Sequence, residues 1–121
     1  MVFTIGSSQK KSQELLFELY SILDEAEEKK WIGWIREQQQ KFDVAFKSDN
    51  KKNQVFAIKE IMELLKGGMG RFSDVYLCEE NGHKVKNEIK INKRLDLARH
   101  KLYMELEQLK FVLENYSEGQ N

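Results

Sequence analysis

The sequence predicts an all-α protein: an antiparallel bundle of about four main helices, with one irregular glycine-rich segment before a long C-terminal helix. Three observations carry that prediction. Proline is absent from all 121 residues, which suits a chain of helices with few connections, because proline removes a helical hydrogen bond and clashes with the preceding turn. Apolar residues recur at three- and four-residue steps over most of the chain. Only the passage from Gly67 to Gly82 resists that pattern.

The chain is read as a single domain over 1–121, with residues 1–7 and 117–121 as frayed tails. Ser7 or Ser8 offers a side-chain oxygen to the free amides of a first helix over about 8–29. Leu15, Leu16, Leu19, Tyr20, Ile22, Leu23 and Ala26 form its apolar stripe. Continuing that stripe would place apolar groups at 30 and 33, where Lys30 and Gly33 stand, so a kink or short turn is expected near 29–31. A second helix then carries Trp31, Trp34, Ile35, Phe42, Ala45 and Phe46. The two tryptophans, three residues apart, are read as core anchors.

Lys47 to Asn53 is rich in cap and turn formers, so the second helix ends there and a third starts from Asp49, Asn50 or Asn53. Val55, Phe56, Ile58, Ile61, Met62, Leu64 and Leu65 give the third helix a broad buried face. It is expected to stop at Lys66-Gly67, with the glycine in the left-handed conformation that closes a helix. The last helix runs from about Asn87 to Asn115 or Tyr116. Its Leu95, Leu102, Leu106, Leu109 and Leu113 follow a four-three-four rhythm broken only by Arg99. At about 1.5 Å per residue it is roughly 45 Å long, the spine on which the others pack.

Composition bounds what such a bundle does. Hydrophobic residues make up 40% and aromatics 11%, enough for one core, while 33% charged residues and a mean hydropathy of -0.64 give a solvated exterior. Twenty basic and twenty acidic groups cancel, so no overall field draws the chain to nucleic acid or to an anionic membrane. Neither partner is expected. The single Cys78 permits no internal disulfide, and the opening MVFTIGSSQKK is neither a secretory signal nor a span, so a cytoplasmic location is the expectation.

Three glycines among Gly67, Gly68, Met69 and Gly70 suggest a phosphate cradle. A P-loop needs Lys and then Ser or Thr after its last glycine, and a dinucleotide fingerprint needs a strand before it. Here a helix precedes and Arg71-Phe72-Ser73 follows. The glycines therefore read as structural: they reverse the chain, Met69 and Phe72 plug the core, and Asp74 serves the turn backbone. Cys78 and His83 supply half of a zinc set at most. Glu27-Glu28 and Glu79-Glu80 are adjacent carboxylates with nothing apolar around them. No metal, no cofactor and no catalytic residue is assigned, and the chain is not expected to be an enzyme. A strip of Lys84, Lys86, Lys90, Lys93, Arg94 and Lys101 is interrupted by Glu88 and Asp96.

The run Gly67-Gly68-Met69-Gly70, followed by Phe72, Asp74, Val75 and Leu77 and later by Asn81-Gly82-His83, resembles the signature of a family of small, uncharacterised bacterial helical proteins sharing a GGMG-x-F-x-D-[LV]-x-L segment. The likeness extends more loosely from Trp31 to Leu109. That family is similar in size and composition to immunity proteins encoded beside secreted antibacterial toxins. The resemblance implies a binding protein that occupies a cognate toxin domain and blocks it sterically. Glu25, Glu28, Glu79 and Glu80 would then meet a basic cleft if the toxin is a nuclease. The alternative is a structural or regulatory module that forms a homodimer through surplus apolar surface at Leu102, Leu106 and Leu109.

Overall fold

A computed structural model of the chain describes residues 4–67 and 71–115. Four helices, α1 (Ile5–Glu25), α2 (Lys29–Lys47), α3 (Lys51–Leu65) and α4 (Glu88–Asn115), pack as an all-α bundle, with no strand among the described residues. Short 3₁₀ turns at Phe72–Asp74 and Glu79–Asn81 punctuate the connection between α3 and α4. Each helix touches two neighbours, α1 with α2 and α4, α3 with α2 and α4. The bundle thus runs up, down, up, down. Ser8 meets Glu105 and Glu25 meets Arg94, which fixes α1 and α4 as antiparallel.

Helix ends follow side-chain capping more closely than glycine. α1 starts earlier than predicted because Thr4, not Ser7 or Ser8, caps it, its Oγ1 accepting from the Ser7 N–H at 3.0 Å. Ser8 is instead buried and donates to Glu105 of α4 at 2.6 Å. The chain breaks at 26–28 rather than kinking at 29–31. Glu28 N–H reaches back to the Leu23 carbonyl at 2.9 Å and Glu27 N–H to that of Asp24 at 3.1 Å. This closure requires a left-handed residue, and Glu27 supplies it at φ 56°. Glu28 then caps α2 through its carboxylate on the Trp31 N–H.

Asn50 caps α3, accepting from the Asn53 N–H at 3.1 Å, and Asn87 caps α4, accepting from the Lys90 N–H at 3.0 Å. The expected glycine closure of α3 is not found. Lys66 turns extended at φ -71° and ψ 156°, and among the described residues only Glu27 and Gly82 have positive φ. Gly68, Met69, Gly70 and Tyr116 lie outside the described residues.

Core burial matches the leucine rhythm: Leu95, Leu102, Leu106 and Leu109 are all at 0% exposure. Leu102, Leu106 and Leu109 are therefore spent inside the bundle and are no surplus surface for self-association. Two further expectations change. Phe56, placed in the buried face of α3, is 69% exposed, because it sits two residues before buried Ile58 and so roughly 200° around the helix. α3 also has only 15 residues against 28 in α4. The first turns of α4 therefore outrun it by roughly 20 Å. The connection fills that gap.

Candidate functional site

The 71–85 segment is bound to the helices by polar side chains around one buried aromatic. Phe72 is fully buried, its ring 5.4 Å from Trp31 and 5.6 Å from Trp34. The tryptophans meet edge to face at 5.8 Å, so they anchor packing as their spacing predicts. Arg99 leans over the Phe72 ring at 5.5 Å. Its guanidinium also donates to the carbonyls of Phe72 at 2.6 Å and Val75 at 3.2 Å. The break in the leucine rhythm is thus the residue that ties the segment down. Ser73 Oγ donates to the Lys66 carbonyl at 2.8 Å, and Arg71 donates to that of Glu63 at 2.7 Å.

Further along, buried Asn92 treats Leu77 as a neighbouring strand would. Its Oδ1 accepts from the Leu77 N–H and its Nδ2 donates to the Leu77 carbonyl, both at 2.8 Å. These bonds satisfy both backbone groups of a residue at 0% exposure. His83 closes the loop. Its Nδ1 accepts from the Cys78 N–H at 3.1 Å, and a backbone amide can only donate, so this nitrogen carries no proton. Nε2–H then donates to Glu28 Oε1 at 3.0 Å. The same Glu28 caps α2, and Lys84 N–H reaches the Ala26 carbonyl at 2.8 Å. One carboxylate joins the α1–α2 corner to the 79–83 loop.

The residues singled out in the sequence therefore separate. Gly67 is exposed, Phe72 is core, and Asp74 is exposed at the end of the first 3₁₀ turn. Glu79 and Glu80 are exposed beside that corner. Glu25 is exposed and binds Arg94 at 2.9 Å. Glu28 is only 11% exposed at its side chain, and its carboxylate is engaged within the fold. Cys78 is buried, and no cluster of three or more His, Cys, Asp and Glu suited to a metal occurs among the described residues. None of the described helices is long and apolar enough to cross a membrane.

Surface relief lies elsewhere. α2 and α3 enclose an open groove of about 570 Å³ whose lining includes Val44, Ala45, Phe56 and Ala57. Val44 is 62% exposed and Phe56 69%. At one end Lys41 bridges Glu37 at 3.2 Å and Glu60 at 3.0 Å. The Lys41 hydrogen bond holds the Glu60 carboxyl below its ordinary range, against partial burial, and Glu60 in turn raises Lys41. On the far side of Phe56 a second hollow is lined by Lys51, Lys52 and Lys59. Beneath the groove, Gln38 donates to Glu60 at 3.2 Å while its buried Oε1 has no partner. The sequence reading missed this groove, although the angular offset of Phe56 from Ile58 could have disclosed it.

The family described as a domain of unknown function (DUF6966) matches residues 24–86, and the chain belongs to that family. The match runs from the end of α1 through α2, α3 and the pinned connection, and stops just before α4. No curated protein and no solved structure matches the chain.

Proposed function

We propose that the protein is an immunity-type binder that occupies a cognate antibacterial toxin domain in the cytoplasm and blocks its active site or substrate entrance. The toxin as partner comes from the sequence resemblance. The observation that carries the binding role is the α2–α3 groove, where Val44 and Phe56 stand 62% and 69% exposed. A large aromatic kept in water on a rigid helix, with an apolar hollow beside it and charges at both ends, is the arrangement of an interface anchor.

Because the groove is built on two capped helices, little ordering cost is added on docking. Lys51, Lys52 and Lys59 favour acidic groups on the partner beside Phe56, and Glu37 with Glu60 favours basic groups at the other end. Glu25, Glu79 and Glu80 at the opposite corner would steer a basic toxin cleft toward the bundle. Glu28 leaves that set, since its carboxylate is engaged internally. Occlusion of this kind needs contact area and no reacting group.

The test uses the product of the adjacent gene. Co-expression should restore growth, and the purified pair should bind. Phe56→Glu should weaken binding by roughly 30-fold or more, the cost of losing an interface anchor, with circular dichroism unchanged. If the wild-type chain gives neither complex nor protection, the immunity reading fails. If it protects and both Phe56→Glu and Val44→Lys protect equally well, the groove is not the contact.

A further inference from the structure

The shape of the α2–α3 groove and the charges beside it bear on what fills it. Buried Ala45 and Ala57 lie at its base, while exposed Val44 and Phe56 stand up as its walls. Small residues below and large ones at the sides leave a hole on the scale of a bulky side chain. The trough runs from Glu37 to Ser48 of α2, about three helical turns. A helix suits it better than an extended strand. Both walls are helices with no free backbone edge, so a strand would lay its own N–H and C=O groups unpaired on an apolar floor.

Charge then selects the kind of helix. Glu37 and Glu60 share Lys41, so at that end the ionised groups already answer one another. Across the Phe56 ridge, Lys51, Lys52 and Lys59 line the second hollow, of about 400 Å³. Among the described residues no carboxylate bridges any of these three lysines. Glu114, the one carboxylate in that lining, is held by Lys110 at 3.1 Å. Lys51 and Lys52 also stand where the fold disfavours them. They directly follow the Asn50 cap in a first turn that has no acidic residue, and so add positive charge to the positive end of the helix dipole.

We infer that the groove takes an acidic amphipathic helix of the partner. A bulky apolar residue sits between Val44 and Phe56, and carboxylates on one flank cross Phe56 to reach Lys51, Lys52 and Lys59. The inference rests on the groove being the contact, and it names the ligand of that contact. Single-stranded nucleic acid also joins cations to an exposed aromatic, but along this groove its phosphates would meet Glu37 and Glu60, and Val44 with the two alanines gives its bases no ring to stack on. The helix is therefore a different part of the toxin from any basic cleft that Glu25, Glu79 and Glu80 meet.

Two labelled helical peptides of about 14 residues test this on the full chain, alike in their leucines at three- and four-residue steps and carrying either glutamate or lysine along one flank. By fluorescence anisotropy the glutamate peptide should bind at least about tenfold tighter than the lysine peptide. Its binding should weaken as sodium chloride rises from about 0.05 to about 0.5 M, and amide shifts should centre on Ala45 and Ala57. Lys52→Glu with Lys59→Glu should lower that affinity roughly tenfold. Lys52→Glu alone should raise the melting temperature, because a carboxylate suits that end of the helix; a merely structural role for the lysine would not give these opposite signs.

With the adjacent toxin, protection lost on Phe56→Glu but kept on Lys52→Glu with Lys59→Glu retains the groove and overturns the acidic ligand. A wild-type chain that gives no protection removes the immunity reading, and the peptides still decide this one. Equal binding of the two peptides, no binding of the glutamate peptide at about 1 mM, or indifference to the double substitution would overturn it. So would tighter binding of a single-stranded oligothymidine, or a homodimer of the chain that Phe56→Glu abolishes.

Discussion

Replacing Arg99 by leucine separates what the sequence pattern expects from what the structure contains. By pattern, leucine at 99 completes the stripe of α4 and stabilises the bundle. By structure, Arg99 is 11% exposed at its side chain and holds the 71–85 segment through two carbonyls and one ring. Hydrogen bonds from a charged donor contribute about 1.5–3 kcal/mol when well made. The 2.6 Å bond to Phe72 is counted near the middle of that range and the 3.2 Å bond to Val75 below it. The cation over Phe72 adds about 0.5–1 kcal/mol. The Asp96 pair adds little, since Asp96 is 72% exposed.

Those contributions total roughly 4 kcal/mol, and a partly buried leucine returns about 1.5 kcal/mol. Arg99→Leu should therefore lose about 2–3 kcal/mol. The Phe72 carbonyl keeps the Val75 N–H at 3.2 Å, which caps the loss. Urea unfolding followed at 222 nm measures it. Tryptophan emission gives a local readout, because Trp31 and Trp34 both rest on Phe72. Leucine that matches or exceeds wild-type stability, with an unchanged emission spectrum, would refute the pinning argument.

Glu27→Gly should stabilise by about 0.5–1 kcal/mol, because a left-handed backbone costs a side-chain-bearing residue about 1–2 kcal/mol and glycine gives back part of that in chain entropy; thermal unfolding at neutral pH checks it. Asn92→Ala should cost about 2–4 kcal/mol by leaving the buried N–H and carbonyl of Leu77 without partners, and hydrogen exchange should show Leu77 losing protection ahead of the helices. Glu60 titrates below its ordinary range because Lys41 bonds its charged form, so its contribution is present above a carboxylate's usual value and is lost as pH falls through the lowered one. The melting temperature of wild type should accordingly drop further than that of Glu60→Gln between about pH 6 and about pH 3, and equal drops would remove the Lys41 linkage.

The helices were legible because burial at three- and four-residue steps survives any arrangement of neighbours. Leu95, Leu102, Leu106 and Leu109 had to face inward whatever lay across from them. Exposure on the opposite face was less legible, since Phe56, Leu97, Met104 and Phe111 are apolar letters like the rest. Only their angle on the wheel distinguishes them. Helix ends were legible where a side chain caps, as at Asn50 and Asn87. They were misjudged where the closing residue is a glutamate doing what glycine does, as at Glu27.

The candidate binding groove was hidden for a related reason. It depends on Val44 and Phe56 coming together across two helices, and no one-helix pattern states that distance. The glycine passage drew notice as the likeness to a family motif, yet among described residues the segment is held by Asn92, Arg99, His83 and Glu28. All four lie outside the glycine run, and three of them stand on helices or at a helix cap. A loop pinned by polar groups on its neighbours needs those neighbours to be folded first. The same dependence explains why Glu28 looks like a surface carboxylate in sequence: its cost of burial is offset only by the Trp31 amide and the His83 imidazole, which the fold brings to it. Removing His83 should therefore loosen the α1–α2 corner as well as the loop, whereas removing an exposed carboxylate such as Glu80 should disturb neither.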